Sequence, residues 1–453
     1  MQIAAGKPPE GFRQNKNFTG GHMTKKEFKE AMLRGLGRCV IAVRQEPEKY
    51  REFVLWACKK DFAYDAQSEG TRALYVYTLA QAYPDAEAFA DAAAEALAKY
   101  RPNCGWDLQH LSELLSFFAA DSYEPAAAAL EEKYRELLAD VASRRSRPKG
   151  SFHAVSDLER LGVILAHDRD STLRIVRDFG RLYREKSFLT SGEFPWFFET
   201  RVKKYIKTVE RSGQKDENIA CFMRRELERL ALWEEKAGGT AALAVDKLKG
   251  PALSRRLKVN ASSETVEAYA QAYREQREPM ARAEALEAFC ICPYPGDPEP
   301  IIRDTASDNE RLTNAAWRAL EKIRHPAVRR FALSNANPKE RRFEIFAVLS
   351  ANYSPGDEHL LEAYLREMAS AKDWDALHCA GMCIFHIFDS LRGLPRPKAL
   401  LPLLYEYEPC SFCRLSALEL MSRHRMLSTD ILEECLWDSN SDIRRLAEKS
   451  LKK

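Results

Sequence analysis

Near its end, the chain shows one arrangement of hydrophobic and polar residues twice. In residues 413–421, apolar or small side chains occupy positions i, i+4, i+7 and i+8, and an arginine directly follows the first of them. Residues 443–451 repeat this arrangement, with Ile443, Ala447 and Leu451 at positions i, i+4 and i+8. These positions form one stripe on a helix, and the small residue at i+4 lets a neighbouring helix approach closely. A unit of this kind cannot bury its stripe alone, so copies are expected to stack.

Four further copies of this repeat pattern precede the two. They begin at residues 281, 312, 341 and 377, so the six starting positions are separated by 31, 29, 36, 36 and 30 residues. The copy at Arg341 begins with a charge, and the copy at Leu377 has Gly381 at its small position. Because scattered helices would not keep such even spacing, we predict regular helical repeats over residues 263–453.

The repeat pattern is similar to a known one. The second helix of a HEAT repeat carries a V-R-x-x-A-x-x-A-L pattern, which Ile443-Arg444, Ala447 and Leu451 resemble. The intervals are shorter than the roughly 40–47 residues of standard HEAT units, so the chain looks more like the short HEAT-like repeats of bacterial proteins. The resemblance implies an all-α fold, in which antiparallel helix pairs stack into a superhelical α-solenoid.

The resemblance also implies a role for the arginine at the second position of the pattern. In HEAT-like proteins this residue commonly braces adjacent repeats by pairing with an aspartate or a backbone carbonyl in a turn. We expect this role for Arg72, Arg282, Arg414 and Arg444, although the same planar guanidinium also suits an acidic partner.

The rest of the chain divides by pattern and charge. Residues 23–146 are predicted to form irregular helical repeats, beginning with one helix whose apolar face runs from Phe28 to Val43. Residues 147–262 are predicted to form a basic helical middle segment. Residues 141–260 contain 26 Lys and Arg against 16 Asp and Glu, a net charge of +10, whereas the whole chain carries +3.

Residues 1–22 are interpreted as a flexible leader. They are rich in Gly, Pro, Asn and Lys, and they contain no apolar run typical of a secretory signal. Gly20, Gly21 and His22 can be encoded by a GGAGG ribosome-binding sequence placed before the codon of Met23. We therefore hypothesise that Met23 is the native start, with Thr24 and Glu27 forming a capping box directly after it; a genuine tail is the alternative.

The expected location of the protein is the cytoplasm. No uninterrupted apolar run reaches the ~18 residues that suggest a membrane span, so no membrane partner is predicted. Eleven cysteines in the absence of an export signal indicate a reducing compartment, in which they stay as thiols.

The most suggestive chemistry lies in residues 409–413, Pro-Cys-Ser-Phe-Cys, which match the P-C-x-x-C half of the zinc deaminase signature. The deaminase interpretation fails because no histidine is followed two residues later by glutamate. A structural zinc ion could use these thiols with Cys379, Cys383 or His386, which share one helix face. Cysteine is also a small apolar residue suited to helix contacts, and Cys413 fills a position of the repeat pattern. We therefore predict no metal and no cofactor.

Two groups of residues are candidates for binding. One is polar and lies at a helix entrance, where capping is the competing explanation; the other is basic and could contact the phosphates of a nucleic acid, an acidic protein surface, or solvent alone. The first group is Asp65, Gln67, Glu69, Arg72 and Tyr75, and the second is Arg144, Arg145, Arg147, Lys149, Lys203, Lys204 and Lys207. The aromatic run Trp196-Phe197-Phe198 is interpreted as internal packing rather than as a stacking platform.

The sequence favours a binding function over catalysis. It contains no P-loop, G-x-G-x-x-G, H-E-x-x-H or G-x-S-x-G motif, which argues against common phosphoryl-transfer, hydride-transfer, metalloprotease and hydrolase chemistry. We predict a scaffold or adaptor that binds a protein or peptide on a concave surface. The alternatives are a nucleic-acid-binding protein, architecturally similar to the HEAT-like alkylpurine DNA glycosylases, and a chromophore-lyase-like activity such as some short HEAT-like proteins have.

Overall fold

The computed structural model describes residues 23–103, 105–146, 153–238, 263–336, 342–390 and 396–452. Within these ranges all regular secondary structure is helical and there is no strand. The prediction of an all-α protein is confirmed at this level. None of the helices in these ranges combines the length and the apolar character that a membrane crossing requires.

Helices are numbered in chain order. The first thirteen are α1 (Lys25–Arg34), α2 (Arg38–Gln45), α3 (Pro47–Ala57), α4 (Ala66–Glu69), α5 (Ala73–Ala80), α6 (Glu87–Lys99), α7 (Asp107–Ala120), α8 (Glu124–Ser143), α9 (His153–Leu165), α10 (Arg169–Glu185), α11 (Pro195–Phe197), α12 (Ile206–Gly213) and α13 (Glu217–Gly238). The others are α14 (Ser263–Glu275), α15 (Pro279–Leu286), α16 (Glu299–Asp304), α17 (Glu310–Leu320), α18 (Pro326–Ser334), α19 (Arg342–Ala351), α20 (Glu358–Ala371), α21 (Trp374–Ser390), α22 (Leu400–Tyr407), α23 (Ser411–Arg423), α24 (Thr429–Cys435) and α25 (Ser441–Leu451).

The chain forms two compact units. In the part of the chain that the structure describes, the first unit contains α1–α13 together with α24 and α25, and the second contains α14–α23. The segment boundaries expected from the sequence at residues 146 and 262 stay predictions.

In the second unit, the copies of the repeat pattern lie on alternate helices. We call α15, α17, α19, α21 and α23 the pattern helices; each packs against the next one along the chain. Helices α16, α18, α20 and α22 alternate with them, and each packs against the pattern helix that follows it. Alternate packing of this kind buries each stripe on the helices before and after it.

The stripe residues are buried. At most 3% of the surface of each is exposed for Leu312, Ala316, Ile345, Val348, Leu377, Ile384, Ala417 and Met421. In the first unit, Ile443 and Ala447 of α25 are fully buried, whereas Leu451 at the end of that helix is 40% exposed.

At the start of the first unit, the apolar face from Phe28 to Val43 is divided between two helices rather than carried by one, so the single-helix prediction is wrong. Helix α1 ends at Gly35, which adopts a left-handed conformation with φ of +76° that costs glycine little. A Cβ atom on Gly37 would lie 1.9 Å from the carbonyl oxygen of Glu434, and the Ser439 N–H donates to the Gly35 carbonyl at 2.9 Å. The break therefore lets the last helix pair approach the backbone of the first.

The arginines of the repeat pattern make bracing contacts. Arg282 donates to the Asp304 carboxylate at 2.6 Å, and its guanidinium lies 4.5 Å from the centre of the Tyr273 ring. Arg444 donates to the carbonyls of Asp438 and Ser439, at 2.6 and 3.1 Å, in the turn before its own helix. Arg282 thus braces its helix against the next one, as expected, whereas Arg444 holds the turn that precedes its own helix.

Arg72 and Arg414 differ from them in detail. Arg72 donates to Glu69 at 3.1 Å and to the Ser439 hydroxyl. Arg414 is fully buried. Both side chains thus lie in the interior rather than on a surface open to an acidic partner.

Replacing Arg282 by alanine should lower the free energy of unfolding by about 2 kcal/mol, because a partly buried, charge-assisted hydrogen bond is lost and the Asp304 carboxyl group loses one of its two donors. Urea denaturation followed by circular dichroism measures the change. Arg311→Ala is the control, since Arg311 pairs with Glu287 and Glu284 at the surface and its loss should cost less than about 1 kcal/mol. Equal effects of the two substitutions would contradict the bracing role.

Candidate functional site

The polar candidates near α4 mainly bond to one another. Asp65 caps α4 and accepts from the Ser68 N–H at 3.3 Å, while Glu69 accepts from the Asp65 N–H at 3.1 Å. The second carboxylate oxygen of Glu69 accepts from Arg72 at 3.1 Å. These contacts support the capping interpretation of the helix entrance.

The two remaining polar candidates point in different directions. The Tyr75 hydroxyl donates to the Leu36 carbonyl at 2.8 Å, and the residue is only 3% exposed. Gln67 is exposed. Tyr75 therefore stabilises the turn between α1 and α2, and Gln67 is the member of this group whose side chain is open to solvent.

The basic candidates include residues paired with acids close by in the sequence. Arg144 donates to Asp140 at 2.6 Å, and Lys203 lies 2.5 Å from Glu199. The ammonium of Lys204 lies 5.1 Å from the centre of the neighbouring Tyr205 ring. Local pairing of this kind lowers the net charge that Arg144 and Lys203 can present to a phosphate.

Arg145 and Lys207 are exposed, and Arg147 and Lys149 lie outside the described residues.

In the aromatic run, Phe197 and Phe198 are buried against Phe222, with ring centres 6.2 and 6.4 Å away, whereas Trp196 is 37% exposed. The packing interpretation therefore holds for the two phenylalanines.

A cluster of metal-ligating side chains lies between α21 and α23. The ligand atoms of His378, Cys410 and Cys413 all lie within 4.8 Å of one another, and this is the only such group of three among the residues that the structure describes. The Cys413 sulfur is 3.5 Å from His378 Nδ1. The histidine that meets the two thiols is thus His378, and not His386 or the cysteines at 379 and 383 that the helix-face argument suggested.

A buried carboxyl group adjoins this cluster. Glu408 is 1% exposed; its Oε1 is 3.2 Å from His378 Nδ1 and accepts from the Cys410 N–H at 3.3 Å. Burial raises the pKa of Glu408, while His378, the Cys410 N–H and the Arg414 charge oppose that shift. A Cβ atom on Gly381 would lie 2.5 Å from Glu408 Oε2, so the glycine at the small position of this repeat makes room for the carboxylate.

A groove of about 800 Å³ runs past the C-terminal end of α17 and over the pattern helices α19 and α21. It is lined by the loop at residues 291–296, by residues 321–325 after α17, by Ala347, Ser350 and Ala351 of α19, and by Met382, Cys383 and His386 of α21. Such a volume is in the range of sites for small molecules or a short peptide segment.

The groove combines an apolar wall with exposed positive charge. Tyr294 and Ile323 are 5% exposed, whereas Met382 is 55% exposed and turns a flexible apolar side chain toward solvent. Lys322 and Arg324 are exposed, and the Glu321 carboxylate, whose pKa burial raises, lies 3.7 Å from Lys322 Nζ. Because this pairing lowers the charge that Lys322 can present, Met382 and Arg324 are the groups that suit a ligand with an apolar side chain beside a negative charge.

Comparison of the chain with models of protein families, with curated proteins and with solved structures finds no match. The resemblance to short HEAT-like repeats therefore rests on the repeat pattern.

Proposed function

We propose that this protein is a HEAT-like α-solenoid scaffold that binds a short acidic peptide segment of a partner protein in the groove over α19 and α21. The observation that carries the proposal is the position of the groove. It lies over the successive pattern helices α19 and α21, beside the end of α17, and stacked repeats of a solenoid create an extended binding surface of this kind.

The lining of the groove supports a peptide as the occupant. Met382 is an exposed apolar anchor, and a thioether on a flexible stem adapts to side chains of different shape. Arg324 lines the same groove and would pair with a carboxylate of the ligand, with an affinity that falls as salt increases. A peptide with one apolar residue flanked by acidic residues matches both features.

The test begins with a display library of random peptides panned against the purified full-length chain. Enriched peptides are expected to combine an apolar residue with Asp or Glu, and fluorescence polarisation gives their affinity. Met382→Glu should weaken binding by about 10-fold or more, because it removes the apolar anchor and repels an acidic ligand.

Leu333→Glu is the matched control. Leu333 is 40% exposed on α18 and is not part of the groove lining, so the variant carries the same charge change elsewhere on the second unit. Labelled duplex DNA at low salt is the comparison ligand. Failure to enrich any peptide, equal loss in both variants, or binding of DNA alone would refute the proposal and, in the last case, favour the nucleic-acid alternative.

A further inference from the structure

We propose that His378, Cys410 and Cys413 bind one zinc ion, and that this ion links helices α21 and α23. The inference is independent of the peptide-binding function. It uses two side chains from the P-C-x-x-C motif and one from a helix about 30 residues earlier in the chain.

The distances between the ligand atoms fit zinc. Zinc binds sulfur at about 2.3 Å and imidazole nitrogen at about 2.0–2.1 Å in tetrahedral sites, so two such ligands on one ion lie about 3.6 Å apart. The Cys413 sulfur and His378 Nδ1 are 3.5 Å apart, and the Cys410 sulfur lies within 4.8 Å of both. An ion can therefore be accepted with small side-chain movements.

Local structure explains why the two thiols converge. Cys410 is the N-cap residue of α23, and Cys413 lies in the first turn of that helix. The N-cap position usually carries Ser, Thr, Asp or Asn, whose oxygen accepts a backbone hydrogen bond, yet the Cys410 side chain makes no such bond. Its sulfur is directed to the cluster instead, at the positive end of a helix, where a thiolate is favoured.

The third ligand of the site comes from the preceding pattern helix. His378 lies on α21, and its side chain is 31% exposed, whereas Cys410 and Cys413 are each 6% exposed. An ion can therefore bind the partly exposed histidine from solvent and then reach the two buried thiols. Packing of α21 against α23 holds the three ligands together before the ion arrives.

Charge balance also favours an ion. Two thiolates offset the two charges of zinc, and binding releases the two thiol protons to solvent. The ion and its two thiolate ligands therefore carry no net charge together. An ion on His378 Nδ1 replaces the hydrogen bond between this nitrogen and Glu408 Oε1, which are 3.2 Å apart, so the ring proton lies on Nε2. Glu408 still accepts from the Cys410 N–H.

Cobalt titration of the full-length chain tests the proposal. The protein is stripped with a chelator under reducing conditions and titrated with Co²⁺, and Zn²⁺ is then added as competitor. Wild type should develop a thiolate-to-cobalt charge-transfer band and the intense visible bands of tetrahedral cobalt, and one equivalent of zinc should remove them. Glu408→Gln should keep these bands, because a glutamine oxygen still accepts from the Cys410 N–H.

Three variants locate the site. Cys410→Ser and His378→Ala should abolish the tetrahedral bands, and Cys410→Ser places a good capping residue at the N-cap, so its circular dichroism should stay native. Cys379→Ser is the control, because Cys379 is the exposed neighbour of His378 on the same helix, and it should retain the bands. Absence of the bands in the reduced wild type, their persistence in the first two variants, or their loss in Cys379→Ser would overturn the proposal.

Discussion

Gly180→Ala is expected to lower the free energy of unfolding by about 3 kcal/mol, the upper part of the usual range for overpacking. Gly180 lies in α10, where a Cβ atom would sit 1.8 Å from the backbone carbonyl oxygen of Asn218 in α13. A backbone atom cannot move aside as a flexible side chain does, so α10 and α13 must separate. Urea denaturation followed by circular dichroism gives the difference.

Gly213→Ala provides the matched control for this prediction. A Cβ atom on Gly213 would meet its nearest neighbour, in Ala220, at an ordinary 3.5 Å. Alanine should therefore be tolerated and could stabilise α12 by up to about 1 kcal/mol, because glycine is the weaker helix former. If Gly180→Ala were as stable as Gly213→Ala, the close packing of α10 on α13 would be wrong.

Glu159→Gln is expected to stabilise the protein at pH 8 and to have little effect at pH 5. Burial raises the pKa of Glu159 from 4.5 to about 7. Between pH 4.5 and about pH 7 the unfolded chain has released a proton that the folded protein retains. The contribution of Glu159 to the free energy of unfolding therefore falls as pH rises through this interval. Above pH 7 this loss of unfolding free energy amounts to about 3 kcal/mol. Glutamine does not titrate, so the variant does not undergo the loss.

The amide keeps the local hydrogen bond, since the Phe197 N–H that donates to Glu159 Oε1 at 2.9 Å can donate equally to a glutamine oxygen. Unfolding in urea at pH 5 and pH 8 is compared for wild type, Glu159→Gln and the control Glu210→Gln, which changes an exposed residue. The wild type should lose stability relative to Glu159→Gln as pH rises. A constant difference between the two proteins would contradict a proton held by buried Glu159.

The helical nature of the chain and the burial of its stripes could be predicted because both follow from local periodicity. The pattern at residues 312–320 or 413–421 needs only a helix and a neighbour to bury it. The capping box of Thr24 and Glu27 forms as expected, since it involves residues within one turn. At α17 the N-cap residue is Asn309, whose side chain accepts from the Leu312 N–H within one turn in the same way.

Features that depend on distant partners could not be predicted in this way. The break at Gly35 accommodates a helix pair almost 400 residues later, and nothing near Gly35 specifies that partner. Likewise, the P-C-x-x-C motif marked Cys410 and Cys413, but the sequence alone does not give the rotation of α21 relative to α23. That rotation selects His378 rather than the neighbouring face with Cys379, Cys383 and His386.

The groove could not be predicted from the sequence for a similar reason. Its lining comes from a loop, the end of one helix and the surfaces of two others, and Met382 occupies no position of the repeat pattern. An apolar residue at a position outside the stripe was the available signal. The chemistry of a binding surface thus depends on residues that the periodicity of the fold leaves unconstrained.

The most direct test of the proposed function is hydrogen–deuterium exchange of the full-length chain with and without an enriched acidic peptide. The account predicts that the peptide slows exchange in residues 321–325, in the last turn of α19 and in residues 382–386, while residues 201–207 are unchanged. Protection confined to residues 201–207, or no protection along the groove at saturating peptide, would contradict it.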